Sequence, residues 1–131
     1  MAAKFVRDLM DHHVATCHMD TPLVQVAQRM VDEQVDAVAI VDSAGALCGI
    51  VTQTDMVRVY NQDHSQLTAE DVMSGNVATV IPDIAVAAAA QLMLDMRVHQ
   101  LVIVHPRPAT QRPIAMLSMR DLVRDMVEKK S

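Results

Sequence analysis

Two halves of this chain repeat the same residues at a nearly constant spacing, and this duplication restricts the folds that the chain can adopt. Val14-Ala15-Thr16 returns 63 residues later as Val77-Ala78-Thr79. Similarity at a fixed period is the signature of repeated structural units. The chain is therefore predicted to form two similar halves related by a pseudo-two-fold axis. Further returns pair residues 38–41 with 101–104 at the same offset, and residues 55–58 with 121–124 at an offset of 66.

Size and composition favour a single module with an aliphatic core. The chain has 131 residues, and each half, at about sixty residues, is marginal as an independent fold. We therefore expect the halves to share a core, in which the 11 Met side chains fill gaps left by the near absence of aromatic residues. The net charge of −5, without a basic stripe, argues against nucleic-acid binding.

The cysteines and the hydropathy pattern suggest a cytoplasmic location. Cys17 and Cys48 lie in apolar sequence contexts and do not form a Cys-x-x-Cys motif, so we expect reduced core thiols. No signal peptide and no apolar stretch of membrane-spanning length is present. We therefore expect a cytoplasmic protein without a membrane partner.

Apolar periodicity predicts the same order of elements in each half, β-α-β-β-α after a short helical turn. Thr21 is expected to cap the first long helix and Pro22 to occupy its first position. Residues 61–68 are polar and are predicted to form a linker. The predicted segments are turns 6–10 and 70–73, strands 14–16, 37–41, 47–52, 77–80 and 101–104, a helix that begins at residue 22, and helices 54–60, 85–96 and 119–128. Apolar stripes are expected on two of these helices, at Leu23, Val26, Ala27, Met30 and Val31 and at Val86, Ala89, Ala90, Met93 and Leu94.

The end of the last strand in each half carries a hydroxyl followed three residues later by a carboxylate. These pairs are Thr52 with Asp55 and Ser118 with Asp121. One interpretation is helix capping, because a hydroxyl at the N-cap and an acid in the first turn stabilise a helix start. The other is a grip on a nucleotide, since N–H groups at a helix start hold phosphate and a carboxylate accepts ribose hydroxyls. The two interpretations are compatible.

These strings, in this order, resemble a known family. The first half looks like a cystathionine-β-synthase (CBS) domain, and the second half looks like another. The resemblance runs from about Val6 to Val127, and its strength comes from two copies in register, each ending in hydroxyl-x-x-Asp. It is carried by Asp8-Leu9-Met10, Val14-Ala15-Thr16, Ala37-Val38-Ala39-Ile40-Val41-Asp42 and the segment from Gly49 to Arg58.

A CBS pair, also called a Bateman module, implies an α/β (α+β) fold of two β-α-β-β-α repeats with small three-stranded sheets flanked by helices. The predicted division is repeat one at 1–60, the linker at 61–68 and repeat two at 69–131, together forming one module. The resemblance also implies a homodimer, and clefts between the repeats that bind adenosine-containing ligands: AMP, ADP, ATP or S-adenosylmethionine. Carried over from the family, Asp55 and Asp121 meet ribose, Thr52 and Ser118 meet ribose or phosphate, and Thr16 and Thr79 line the same clefts.

The residues before the central strands suggest that the two clefts differ. Family members often place a His-Arg pair there, which reaches phosphate in the cleft of the partner repeat. The second half keeps the His as His99 but has Gln100 in place of the Arg, with Arg97 two residues before the His, whereas the first half has Asp36. We therefore expect the Asp55 cleft, faced by His99 and Arg97, to prefer a phosphorylated ligand. The Asp121 cleft is expected to be empty or to take a ligand with little negative charge.

Other chemistry finds little support in the sequence. His12, His13, Cys17 and His18 form the only cluster that resembles a metal site. Adjacent histidines in an extended segment point apart, and no second ligand pair has zinc-like spacing, so no metal is predicted. No nucleophile–base arrangement stands out, and no cofactor is expected to be required, so an enzyme is not predicted.

The sequence therefore predicts a regulatory module that senses an adenosyl ligand. It would act on an unidentified protein partner or through rearrangement of a dimer, which requires different ligand affinities for two states. The alternative is a structural dimerisation or adaptor module without a physiological ligand, because a fold does not fix a function.

Overall fold

A computed structural model describes residues 4–10, 12–106 and 111–128 of the chain. These residues form two three-stranded sheets, with strand orders β1-β2-β3 and β4-β5-β6. The predicted α/β architecture of two small sheets flanked by helices is confirmed. The elements are α1 (Val6–Leu9), β1 (Thr16–His18), α2 (Leu23–Glu33), β2 (Ala37–Val41), β3 (Leu47–Thr52), α3 (Gln53–Arg58), a 3-10 helix (His64–Gln66), α4 (Ala69–Val72), β4 (Thr79–Val80), α5 (Val86–Met96), β5 (Gln100–Val104), β6 (Pro113–Ser118) and α6 (Met119–Glu128).

One compact unit comprises Val14–Val77. Its central strand β2 runs parallel to β1 and antiparallel to β3, and every residue of β2 is buried. A continuous apolar run suits this position, because a strand with both faces covered needs no polar alternation. Leu23, Val26 and Met30 of α2 pack into the same core. Val31, which was predicted to lie on the apolar stripe, is 71% exposed, so that prediction is wrong.

The other compact unit combines the described residues of Met1–His13 with those of Ala78–Ser131. Strand β5 runs parallel to β4 and antiparallel to β6, as in the first unit. Ala89 and Met93 of α5 are buried against this sheet. Leu94 occupies the position that corresponds to Val31 and is likewise exposed, so the predicted stripe is one residue too wide in both halves.

The compact units and the sequence repeats have different boundaries. Helix α1 belongs to the unit that holds the second repeat, and Val6 is fully buried in its core. The 3-10 helix and α4 belong to the unit that holds the first repeat, where Ala69 is fully buried. Each repeat is therefore completed by a segment that precedes the other repeat in the chain. The predicted division at 1–60, 61–68 and 69–131 describes the sequence repeats.

Local details correct one further expectation. Thr21 does not cap α2, because its Oγ1 accepts a hydrogen bond from the His18 N–H and Pro22 occupies the N-cap position. Within the predicted linker at 61–68, the Leu67 carbonyl accepts a hydrogen bond from the Leu23 N–H at 2.8 Å. In the turn after β2, Asp42 Oδ1 accepts hydrogen bonds from the N–H groups of Ala44 and Ala46.

Candidate functional site

The sheet topology of the first unit brings three predicted site residues to one edge. Thr52 ends β3 opposite Ala37, the first residue of β2. Thr16 begins β1, which runs parallel to β2, so it lies near the same end of the sheet. The Gln53 N–H donates to the Asp36 carbonyl at 3.0 Å, which fixes the start of α3 beside the start of β2. We call this set (Thr16, Asp36, Thr52 and Asp55) the Asp55 edge.

The second unit builds the same edge from the corresponding residues. Ser118 ends β6 opposite Gln100, and Thr79 begins β4. The Met119 N–H donates to the His99 carbonyl at 2.8 Å, as Gln53 does to Asp36. Thr79, His99, Ser118 and Asp121 form the Asp121 edge. The backbone pattern is therefore duplicated, while the side chain before the central strand changes from a carboxylate to an imidazole.

The Thr52–Asp55 pair forms a reciprocal cap on α3. Asp55 Oδ2 accepts hydrogen bonds from the Thr52 N–H at 2.8 Å and from the Thr52 hydroxyl at 3.0 Å. The Asp55 N–H donates to Thr52 Oγ1 at 3.3 Å. These bonds satisfy N–H groups that a helix start leaves without an intrahelical partner. The capping interpretation of this motif is confirmed.

The Ser118–Asp121 pair repeats this cap on α6. Asp121 Oδ2 accepts from the Ser118 N–H at 2.8 Å, and the Asp121 N–H donates to Ser118 Oγ at 3.2 Å. In both motifs the cap uses Oδ2 of the carboxylate and leaves Oδ1 pointing elsewhere. Capping therefore occupies one carboxylate oxygen and does not exclude a ligand contact through the other.

An arginine one turn along each helix faces the second carboxylate oxygen. Arg58 Nη1 lies 3.8 Å from Asp55 Oδ1, and Arg124 Nη1 lies 3.4 Å from Asp121 Oδ1. The first distance is beyond a hydrogen bond and the second is long. Both arginines are largely exposed, so their contacts with the carboxylates are weak. The prediction of site residues did not include these arginines, although Asp-x-x-Arg is part of the repeated string.

The same carboxylate cap also occurs where no ligand residue was predicted. Asp8 Oδ2 accepts from the Phe5 N–H at 2.9 Å, and Asp71 Oδ2 accepts from the Thr68 N–H at 2.8 Å. A hydroxyl-x-x-Asp spacing therefore does not by itself separate a ligand contact from a cap in this chain. The distinguishing feature is position, because among these four capping carboxylates only Asp55 and Asp121 lie in the first turn of a helix that directly follows the last strand of its sheet.

The predicted phosphate contacts Arg97 and His99 lie at the surface. Arg97 ends α5 in the left-handed conformation, with φ of 56°, and its side chain is exposed. Gln34 ends α2 in the same way, with φ of 55°. The His99 side chain is also exposed, and its backbone belongs to the Asp121 edge. The predicted contact of His99 and Arg97 with a ligand at Asp55 stays a prediction.

The cysteines do not carry the features of reactive thiols. Cys17 is buried and Cys48 is half-buried, and both are free. Burial raises the pKa of both the Cys17 and the Cys48 thiols, and a higher pKa lowers the fraction of nucleophilic thiolate. Cys17 packs in the core of its unit as predicted, whereas Cys48 lies partly outside it.

The described residues carry neither a metal cluster nor a membrane-spanning helix. Within residues 4–10, 12–106 and 111–128, no three His, Cys, Asp or Glu side chains come together as a metal site would require. Over the same ranges, every helix is too short or too polar to span a bilayer.

Comparison with known proteins identifies both repeats. The family model described as CBS domain matches residues 6–62 and again residues 69–128. Among curated proteins, a homoserine O-acetyltransferase from Methanohalophilus mahii is 30% identical over 102 residues, and the arabinose 5-phosphate isomerase KdsD from Pseudomonas aeruginosa is 32% identical over 108 residues. The match covers 78% and 81% of this chain but only 21% and 32% of those proteins. The chain thus corresponds to a minor part of each of these enzymes.

Solved structures share the fold over nearly the whole chain. The CBS domain pair of protein MJ0100, in complex with 5′-methylthioadenosine and S-adenosyl-L-methionine, superposes with a TM-score of 0.88 at 24% identity and covers 98% of this chain and 100% of that one. The CBS domain protein PAE2072 from Pyrobaculum aerophilum, complexed with AMP, gives a TM-score of 0.82 at 19% identity, with 91% and 90% covered. Since the family model matches both repeats, the chain belongs to the CBS domain family and carries two consecutive CBS domains.

Proposed function

We propose that the chain is a regulatory module that binds an adenosyl ligand, with AMP, ADP, ATP and S-adenosylmethionine as the candidates. The observation that carries this proposal is the duplicated edge, at which each carboxylate caps a helix through Oδ2 while its Oδ1 makes a long contact with an exposed arginine that a ligand can replace. Support also comes from two structural relatives. One was solved with 5′-methylthioadenosine and S-adenosyl-L-methionine, and the other was solved with AMP.

The proposed contacts follow the chemistry of the two edges. Asp55 and Asp121 accept ribose hydroxyls, since a carboxylate oxygen is a strong acceptor. Thr52, Ser118, Thr16 and Thr79 supply hydroxyls at the same edges. Arg97 and His99 contact phosphate, because they offer donors and positive charge at an exposed surface.

The proposed role is regulatory rather than catalytic. The enzymes that this chain resembles are three to five times longer than the matched part, so their activities are not carried over from that part. Binding would favour one of two states of the module, and a protein partner or a second copy would respond to that state. The homodimer, the partner protein and the cytoplasmic location stay predictions.

Carboxylate removal tests the proposal, provided that loss of the cap is separated from loss of ligand contact. Asp55→Ala and Asp121→Ala should each lower stability by about 1 kcal/mol through the lost cap. Each should also weaken binding of the preferred ligand by at least about tenfold, since a buried charged hydrogen bond contributes more than a neutral one. Binding of AMP, ATP and S-adenosylmethionine would be measured by isothermal titration calorimetry.

Matched controls are present in both units. Asp71→Ala removes a similar cap in the unit of Asp55, and Asp8→Ala does so in the unit of Asp121. These controls should lose similar stability and keep ligand affinity within about twofold. Equal affinity losses in the controls, or no binding of any of the three ligands to the unmodified chain, would reject the proposal. In the latter case the structural dimerisation or adaptor alternative would remain.

A further inference from the structure

The two segments that complete the units dock with the same backbone pattern. We call residues 4–10 the N-terminal strap and residues 67–73 the inner strap. In the N-terminal strap, Val6 N–H donates to the Ile84 carbonyl and Arg7 N–H to the Pro82 carbonyl, both at 2.9 Å. In the inner strap, Ala69 and Glu70 donate to the carbonyls of Thr21 and Met19 at 2.9 and 3.0 Å, each position 63 residues from its counterpart. The backbone anchors are therefore equivalent.

The first residue of each strap is charged in the N-terminal strap and apolar in the inner strap. Lys4 Nζ forms an ion pair with Asp125 on α6 at 2.5 Å. The corresponding residues of the other unit are Leu67 and Val59, and both pack against the apolar core of that unit. An ion pair thus occupies a position at which the inner strap uses apolar burial.

A second ion pair also lacks a counterpart. Arg7 Nη1 lies 2.7 Å from Asp83 Oδ1, and its guanidinium stacks over the Phe5 ring at 4.4 Å from the centroid. The corresponding residues of the inner strap are Glu70 and Asp20, two acids that cannot pair with each other. Ion pairs thus hold the N-terminal strap at Lys4 and at Arg7, whereas the inner strap has none at Leu67 or Glu70 among the residues that the structure describes.

We infer that the N-terminal strap is a salt-sensitive latch that detaches while the rest of its unit stays folded. Added salt weakens ion pairs that solvent can reach, because the screening length falls from about 10 Å at 0.1 M to about 3 Å at 1 M, whereas apolar burial is not weakened by added salt. Val6, Leu9 and Met10 also pack against the core, and backbone hydrogen bonds join the strap to Ile84 and Pro82. Because the inner strap makes the corresponding apolar and backbone contacts, the two ion pairs are the difference between the straps on which salt acts. Detachment would expose the Val6 position of the core and free Asp125, which lies one turn after Asp121 on α6.

Amide hydrogen exchange tests the latch without any ligand, so its outcome is independent of the proposed function. The amides of Val6, Arg7 and Met10 would be compared with those of Ala69, Glu70 and Met73, which make the corresponding hydrogen bonds. Raising NaCl to about 0.5 M should speed exchange at the N-terminal strap roughly threefold and leave the inner strap unchanged. An equal response of both straps, or N-terminal exchange only through global unfolding, would overturn the inference.

Two variants identify the cause of the salt response. The first is a triple variant: Lys4→Leu and Asp125→Val introduce the apolar pair of the other unit, and Arg7→Gln removes the second ion pair. It should abolish most of the effect of salt on amide exchange. Lys4→Asp/Asp125→Lys reverses the ion pair and should keep the response. A salt response that persists in the first variant, or disappears in the second, would contradict the assignment to these ion pairs.

Discussion

The Asp55 edge and the Asp121 edge share a backbone and differ in charge. Both have a strand that ends in a hydroxyl, a helix that begins with a capping carboxylate, and a backbone hydrogen bond to the residue before the central strand. That residue is Asp36 at one edge and His99 at the other. Duplication has therefore kept the features that build the edge, and changed the feature that would choose the charge of a ligand.

The strands that lead to the two edges also differ in the size of one buried residue. Gly49 of β3 corresponds to Ala115 of β6, and both are buried. An added Cβ at Gly49 would meet the Ser74 carbonyl oxygen at 2.9 Å and Met73 Sδ at 2.7 Å. The glycine is required because residue 74 pairs with Ile50 through two backbone hydrogen bonds. Residue 11, which corresponds to Ser74, lies outside the described residues.

The largest expected effect comes from making the two strands alike at this position. Gly49→Ala should lower the free energy of unfolding by about 2 kcal/mol, since the new methyl group forces a backbone segment to move. The matched control is Gly75→Ala, whose Cβ would meet its nearest neighbour, the Cys48 carbonyl oxygen, at 3.9 Å. The control should change stability by less than about 0.5 kcal/mol. Urea unfolding measures both, and equal values for the two variants would refute the close approach.

A charge exchange at His99 sharpens the comparison of the edges. His99→Asp gives the second half the charge found at Asp36, and should weaken AMP binding about tenfold, which is about 1.4 kcal/mol. S-adenosylmethionine, which carries no phosphate, should lose less than about twofold. His99→Gln serves as the uncharged control, and its affinity for AMP should lie between that of the unmodified chain and that of His99→Asp. The prediction fails if both ligands lose affinity equally.

A double-mutant cycle then tells which carboxylate holds the ligand that His99 contacts. Combining His99→Asp with Asp55→Ala and separately with Asp121→Ala gives two coupling energies for AMP binding. Residues that share one ligand are coupled by about 0.5 kcal/mol or more, whereas independent sites add. Coupling to Asp55 is expected from the sequence, and coupling to Asp121 alone would reverse that assignment.

The sequence predicts most helices and strands well, but it does not predict that α1 and α4 each pack in the unit that holds the other repeat. Residues 37–41, 47–52 and 119–128 were placed with the observed limits, because uninterrupted apolar runs and helical periodicity act locally. The packing of each strap against the other repeat is not predictable from the sequence, because the repeated strings look the same in both copies. They do not specify which copy a segment packs against. The exposure of Val31 and Leu94 was missed for a related reason, since periodicity gives the direction of an apolar face but not its width.

The candidate site was predictable where it is built from duplicated residues. Thr52, Asp55, Ser118 and Asp121 stand out because two copies place them in the same register. The weak arginine contacts to Oδ1 were not predicted, because an i,i+3 pair on a helix depends on side-chain direction as well as spacing. Left-handed helix ends at Gln34 and Arg97 were also missed, since glycine is the usual residue there.

These two helix ends provide the smallest expected difference between the halves. A residue with a Cβ pays about 1–2 kcal/mol for a positive φ, and glycine avoids this penalty. Glycine loses more conformational entropy on folding, so the net effect of Gln34→Gly should be a gain in stability of about 0.5–1 kcal/mol. Arg97→Gly should gain less, because a cation in the last turn of a helix is favoured by the helix dipole by about 0.3–1 kcal/mol. Gln34→Ala is the control that keeps the Cβ, and it should give no gain. Thermal unfolding at low and at high salt measures the difference, which should shrink at high salt because the dipole interaction of Arg97 is screened while the Cβ penalty is not. A gain at Arg97 equal to or larger than the gain at Gln34 would contradict the stabilising dipole interaction assigned to Arg97.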